Sequence, residues 1–166
     1  MTSRTEAAHL AFVAALAAKA QEVSAKLVPP ERNQDLISRL VDVGQGLAVH
    51  INVWDGDRPQ PEEMLGTALG VPGGYDIRLH VRVELAVAGG TSADREARFD
   101  DCRAGIIAAL KPNLSGGGPV YLGGAVDHLE LIDYAPPGAG LATDGLPGVK
   151  AAEFVFALSF TSDDPF

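Results

Sequence analysis

The sequence predicts an α+β fold: a mixed, mainly antiparallel sheet of about four strands, with two main helices packed on one face. Four segments alternate apolar and polar residues at the two-residue period of a strand. Two others carry apolar residues at helical spacing. The order is helix, strand, strand, helix, strand, strand. The length of 166 residues predicts one domain over 1–166, with an N-terminal helix in 1–30 and an α+β core in 47–162.

The first predicted helix runs from Thr5 to Leu27. Many alanines favour it, and Pro29 with Pro30 ends it. Its apolar stripe has spacings of four and seven and comprises Phe12, Leu16, Val23 and Leu27. The segment 33–41 is either a short second helix or an irregular connection.

The next predicted strand is Leu47 to Trp54, which has apolar residues at its odd positions. It stops at Asp55-Gly56-Asp57, a turn signal. Residues 55–74 show no clear period, and we expect a long loop there.

The longest predicted strand is Tyr75 to Ala88, where every odd position from 75 to 87 is apolar. A slip of one residue would expose that whole row, so we expect a fixed register. The opposite side carries Asp76, Arg78, His80, Arg82 and Glu84. Such mixed charges are either an ordinary solvated face or a surface that pairs with another copy.

The second main helix begins after Thr91 and Asp94, which have the spacing of a capping box, and ends near Leu110. Its buried stripe includes Cys102, which therefore reads as a core residue. Beyond it we predict a turn-rich loop at 115–124 and strands at 125–134 and 150–161. The last two strands are separated by a Gly- and Pro-rich loop at 136–149.

Composition excludes several classes of protein. The net charge of −9 argues against a general nucleic-acid-binding surface. No apolar run reaches the length of a membrane span, and the polar residues within the first segment indicate an amphipathic helix, not a signal peptide. A single cysteine rules out an intrachain disulfide and is weakly consistent with a reducing compartment.

No motif predicts catalysis, a metal site or a cofactor. The glycine-rich loop 115–124 lacks the lysine and the strand-to-helix setting of a phosphate loop. Four histidines show no metal-ligand spacing. His50 and His80 are expected on polar faces of strands that could be neighbours, and a small enzyme or ligand-binding domain using that face is the alternative from a different class.

Four pieces of the sequence together resemble a known family. They are a long alternating strand, a helix that follows two glycines, a Leu-Gly-Gly turn leading into a strand, and an aromatic strand: RLHVRVELAV, DREARFDDCRAGIIAAL, LGGAVDHLELIDY and EFVFALSFTSDDP. Over about Leu47 to Phe166 the chain resembles the tail terminator proteins of long-tailed phages, the lambda-type minor tail protein U family, and related tail-completion proteins.

The resemblance implies a structural virion protein of the tail neck, assembled in the host cytoplasm, without catalytic residues or cofactors. It implies a ring, usually a hexamer, that caps the head-proximal end of the tail tube. Its partners would be the tail tube protein and the head-completion protein, with DNA passing through without specific binding. Another neck or head–tail joining protein is the structural alternative. In either case we expect part of the set Asp76, Arg78, His80, Arg82 and Glu84 to contact an adjacent subunit or line the lumen.

Overall fold

The structure, a computed structural model, describes residues 3–22, 27–35, 46–56, 62–63, 74–115, 118–138 and 148–163. Its helices are α1 (Arg4–Ala20) and α2 (Ser92–Ala109), with a short 3₁₀ turn at Leu122–Gly124. Its strands are β1 (Glu31–Arg32), β2 (Ala48–Asp55), β3 (Glu62–Glu63), β4 (Tyr75–Ala88), β5 (Asn113–Ser115), β6 (Gly118–Val120), β7 (His128–Ala135) and β8 (Val149–Ser162). The predicted α+β class is confirmed.

The main sheet is mixed and mostly antiparallel. Its order is β1-β2-β4-β8-β7, and β3 pairs with the start of β4. Only β1 and β2 are parallel; the other neighbours within the described residues are antiparallel. The four long strands are those that the sequence predicts. The two-residue strands β1 and β3 raise the number above four, because segments this short show no alternation.

The strand β4 is central, as its pattern predicts. It pairs with β8 over its whole length, from Tyr75 opposite Ser162 to Ala88 opposite Val149. Its odd side chains from Ile77 to Val87 are buried. They pack in one core with the aromatic row of β8 and with both helices. The ring of Phe12 in α1 lies 5.5 Å from that of Phe156 in β8.

The helix α1 is shorter than predicted. The Ser3 Oγ accepts a hydrogen bond from the Glu6 amide at its start, but the helix ends at Ala20 and not at Leu27. Leu16 is its last buried side chain, and helices in proteins are stabilised chiefly by packing. Leu27 is buried outside the helix.

The helix α2 begins as predicted. Thr91 Oγ1 accepts from the Asp94 amide, and Asp94 Oδ2 accepts from the Thr91 amide, which completes the capping box. Cys102 is fully buried, as predicted, and this burial raises the pKa of its thiol.

Three loop predictions need correction or remain open. The loop 115–124 contains regular structure, because β5 and β6 form a hairpin that leads into the 3₁₀ turn. That turn delays the next strand, which starts at His128 and not at Ala125. Residues 33–35 are not helical. The rest of the possible short helix at 33–41 and most of the predicted loops 55–74 and 136–149 lie outside the described residues.

Candidate interaction surface

The five predicted residues share the side of the sheet that faces away from the helices. Asp76, Arg78, His80 and Arg82 are exposed, and Glu84 is half-buried. Neighbouring strands add polar and aromatic side chains to this side. We define the polar sheet face as Asp76, Arg78, His80, Arg82 and Glu84 with Asn52, Trp54, Glu130, Asp133 and Glu153.

Arg78 is held by an ion pair that spans three strands. Its Nη2 lies 2.5 Å from Glu130 Oε1 on β7, although β8 runs between the two strands. The β8 residues beneath the pair are small: Ser159 lies opposite Arg78, and Ala157 lies opposite Glu130. Long side chains on non-adjacent strands can therefore meet above them.

Arg82 is fixed by two contacts on either side of β4. Its guanidinium lies 5.5 Å from the ring centre of Trp54, its register partner on β2. Its Nε lies 3.7 Å from Glu153 Oε2 on β8. Stacking of a guanidinium on indole is favourable and restricts the side chain. The Arg82 side chain remains 44% exposed.

Glu84 and Glu153 lie directly opposite each other on β4 and β8. Like charges in this position are destabilising. Burial raises the pKa of Glu153, Arg82 opposes this, and the charges of Glu84 and Asp133 raise it further. On the other side, Asn52 Nδ2 donates to Glu84 Oε2 at 3.3 Å.

The polar sheet face is therefore acidic despite its two arginines. Five carboxylates belong to it, and both arginines already contact one of them. It ends where Ala86, Ala88 and Ala151 are buried on the same side of the sheet. An exposed charged surface of this kind can select and orient a protein partner by charge complementarity.

The positions of His50 and His80 do not support the alternative in which both histidines belong to one ligand-binding or catalytic site. The strands β2 and β4 are neighbours, as expected, but His50 lies opposite Ala86. His80 is six residues further along β4, which is about 20 Å at the rise of a strand. The structure therefore does not bring His50 and His80 into one cleft.

A second polar cluster was missed by the sequence reasoning. Arg32 on β1 donates to both oxygens of Glu6 at 2.8 and 2.7 Å and to both oxygens of Asp55 at 2.8 Å. It ties α1 to β1 and β2. Its hydrogen bonds lower the pKa of Glu6. Burial alone would raise the pKa of Asp55, but the hydrogen bonds from Arg32 and Asn33 leave it below its ordinary value.

His9 lies beside this cluster and is only 6% exposed. Burial lowers its pKa, more than the charge of Asp55 raises it. Its Nε2 is 4.0 Å from Asp55 Oδ1 and makes no hydrogen bond with any of the residues that the structure describes. We interpret the cluster as a structural clamp that joins α1 to β1 and β2. No signal in the sequence pointed to it, because Arg32 is 26 residues from Glu6 and 23 residues from Asp55.

Comparison with protein-family models gives no match to this chain, and comparison with curated proteins gives none either. Within the described part of the chain, no group of three His, Cys, Asp or Glu residues is placed to hold a metal ion. None of the described helices is both long and apolar enough to cross a membrane.

Proposed function

We propose that this protein is a structural ring subunit of the phage tail terminator type. In this role it caps the head-proximal end of the tail tube, stops tube polymerisation and joins the tube to the head-completion protein. The resemblance over Leu47 to Phe166 supplies the class. The exposed polar sheet face is the observation on this molecule that supports it most, since a ring subunit needs surfaces for its neighbours.

The charge of the chain also supports this role. A net charge of −9 and an acidic sheet face suit a conduit that DNA passes without binding, because carboxylates repel the phosphate backbone. The proposal assigns no catalytic residue and no cofactor. Asp76, Arg78, His80, Arg82 and Glu84 are its candidate subunit contacts or lumen residues.

A double charge reversal tests the role of the polar sheet face. Arg78→Glu with Arg82→Glu leaves the buried side of β4 untouched, so the monomer should stay folded. We expect it to weaken assembly, because it breaks the two ion pairs that hold the side chains of this face in position for a neighbouring subunit. Light scattering after gel filtration and negative-stain imaging measure the rings. Arg4→Glu with Lys19→Glu on α1 makes the same change in net charge elsewhere and should leave assembly intact.

The tube-capping role has its own test. Added to polymerising tail tube protein, the purified chain should shorten the tubes and appear as a ring at one end. Cross-linking should then join it to tube protein on one side and to head-completion protein on the other. A protein that stays monomeric and leaves tube length unchanged would refute the proposal. Cross-links to neck proteins alone would favour the head–tail joining alternative.

A further inference from the structure

An apolar groove of about 480 Å³ runs between α2 and the edge of the sheet. Ile107 and Ala108 of α2 form one wall, and Leu131 and Tyr134 of β7 form the other. It lies on the helix side of the sheet, because Leu131 and Tyr134 are the register partners of the buried Phe156 and Phe154.

The groove lies between α2, where that helix packs on the sheet, and the edge strand β7. The helix α2 contacts β4 and β8. The strand β7 is the last in the described sheet order, with no described strand on its outer side. Leu131 is 44% exposed, and Ile132, at the β-bulge, is 38% exposed. Apolar side chains at an open sheet edge are a usual place for protein association.

We propose that a second copy of this chain docks in this groove, inserting an apolar side chain that is flanked by carboxylates. This inference rests on the proposed ring, for which it names a contact surface. The cationic lining of the groove decides the chemistry of the occupant.

The groove is basic in an acidic protein. Arg103 and Lys111 line it. Arg103 pairs with Asp100, an exposed residue on the same helix, at 3.2 Å. Lys111 makes no ion pair with the described residues. In contrast, Arg32, Arg78 and Lys150 are each paired with carboxylates on other elements. A chain with 22 acidic and 13 basic residues presents a surplus of carboxylates to such a groove.

The position of the groove suits a ring. A closed ring needs two different surfaces on each subunit, one for each neighbour. The groove lies on the helix side of the sheet, and the acidic polar sheet face lies on the opposite side. One copy can therefore present its basic groove to one neighbour and an acidic surface to the other. A contact of groove to groove would instead bring Lys111 of both copies together.

Two substitutions test the groove by different means. Leu131→Glu places a charge in the apolar wall, and Lys111→Glu reverses a cation of the groove lining. We expect each to raise the dissociation constant of the ring about tenfold or more, since ~1.4 kcal/mol is one factor of ten. Leu10→Glu on α1 is the matched control, because Leu10 is 49% exposed and lies outside the groove. Thermal unfolding checks that all three variants remain folded.

A chemical block keeps the test valid if Leu131→Glu does not fold. Ala108→Cys introduces one reactive thiol in the groove, because the native Cys102 is fully buried. Coupling a bulky maleimide there should prevent ring assembly, whereas the same label on Leu10→Cys should not.

The outcomes separate this inference from the proposed function. Rings that form equally well with Lys111→Glu and with the blocked groove overturn the inference and leave the ring proposal standing. The inference also fails if the groove variants lose binding to tube protein but not to each other. A native chain that never self-associates refutes both.

Discussion

Replacing Arg32 with alanine should lower the free energy of unfolding at pH 7 by about 2 kcal/mol. Arg32 makes four hydrogen bonds to the carboxylates of Glu6 and Asp55. A hydrogen bond to a charged group contributes roughly 1.5–3 kcal/mol when well buried. The side chains of Arg32, Glu6 and Asp55 are 27, 40 and 31% exposed, respectively. Solvent screening therefore removes most of the combined contribution of the four hydrogen bonds. A domain of this size should then melt about 4–8 °C lower.

The pH dependence of the same variant identifies the cause. Arg32 lowers the pKa of Glu6 and, against the effect of burial, that of Asp55. Groups with a lowered pKa in the folded state stabilise the protein above their unfolded pKa. This stability is lost as the pH falls through the folded value. The difference in the free energy of unfolding between the native protein and Arg32→Ala should therefore become smaller below about pH 4.

Urea unfolding at pH 7 and at pH 3, followed by circular dichroism, measures both effects. Arg103→Ala is the control, because its ion pair with Asp100 is exposed and lies within one helix. It should cost only about 0.3 kcal/mol. The contacts of Arg32 with Glu6 and Asp55 do not hold α1 to the sheet if Arg32→Ala is as stable as this control at pH 7. The same conclusion follows if Arg32→Ala lowers the free energy of unfolding by as much at pH 3 as at pH 7.

Three further predictions concern other parts of the fold. Glu153→Gln should raise the free energy of unfolding at pH 7 by about 0.5 kcal/mol, because the raised pKa of Glu153 shows that its charged form destabilises the folded protein. Thermal unfolding should show that this gain in stability disappears below about pH 4. Thr91→Ala removes the capping box and should cost about 1 kcal/mol in urea unfolding; an unchanged midpoint would contradict it. Gly56→Ala places a Cβ 1.4 Å from the His80 carbonyl oxygen and should cost more than ~2 kcal/mol. Gly46→Ala is the control for Gly56→Ala in thermal denaturation, because a Cβ at position 46 has no atom within 4 Å.

The long elements could be predicted because each has its own periodicity. The odd positions of β4 are apolar without exception, so the alternation alone predicted which side of the strand is buried. Thr91 and Asp94 identify the start of α2 by local chemistry. The predicted end of α1 was wrong because Val23 and Leu27 continue the apolar spacing of Phe12 and Leu16 in the sequence, whereas Leu16 is the last buried side chain of the helix. The hairpin of β5 and β6 has too few residues to show a period.

The candidate surface was only half predictable. The polar side of β4 follows from alternation. The side chains that meet it depend on the strand order, which no single strand encodes. Glu130 reaches Arg78 only because β7 lies next to β8, and Glu153 opposes Glu84 only because β8 lies next to β4. The groove beside β7 is still harder to predict, because it depends on how α2 packs on β4 and β8 relative to the edge strand β7.

The pairing of β4 with β8 has a consequence for how the chain folds. The two strands are more than sixty residues apart at their closest paired ends, Ala88 and Val149. Closing so long a loop has an entropic cost before any contact repays it, and folding slows as contacts become less local. During synthesis, the apolar row of β4 is made well before the aromatic row of β8. Until β8 is added, the apolar row of β4 lacks the aromatic row that packs beside it in the folded core, and apolar surface exposed at this stage favours aggregation.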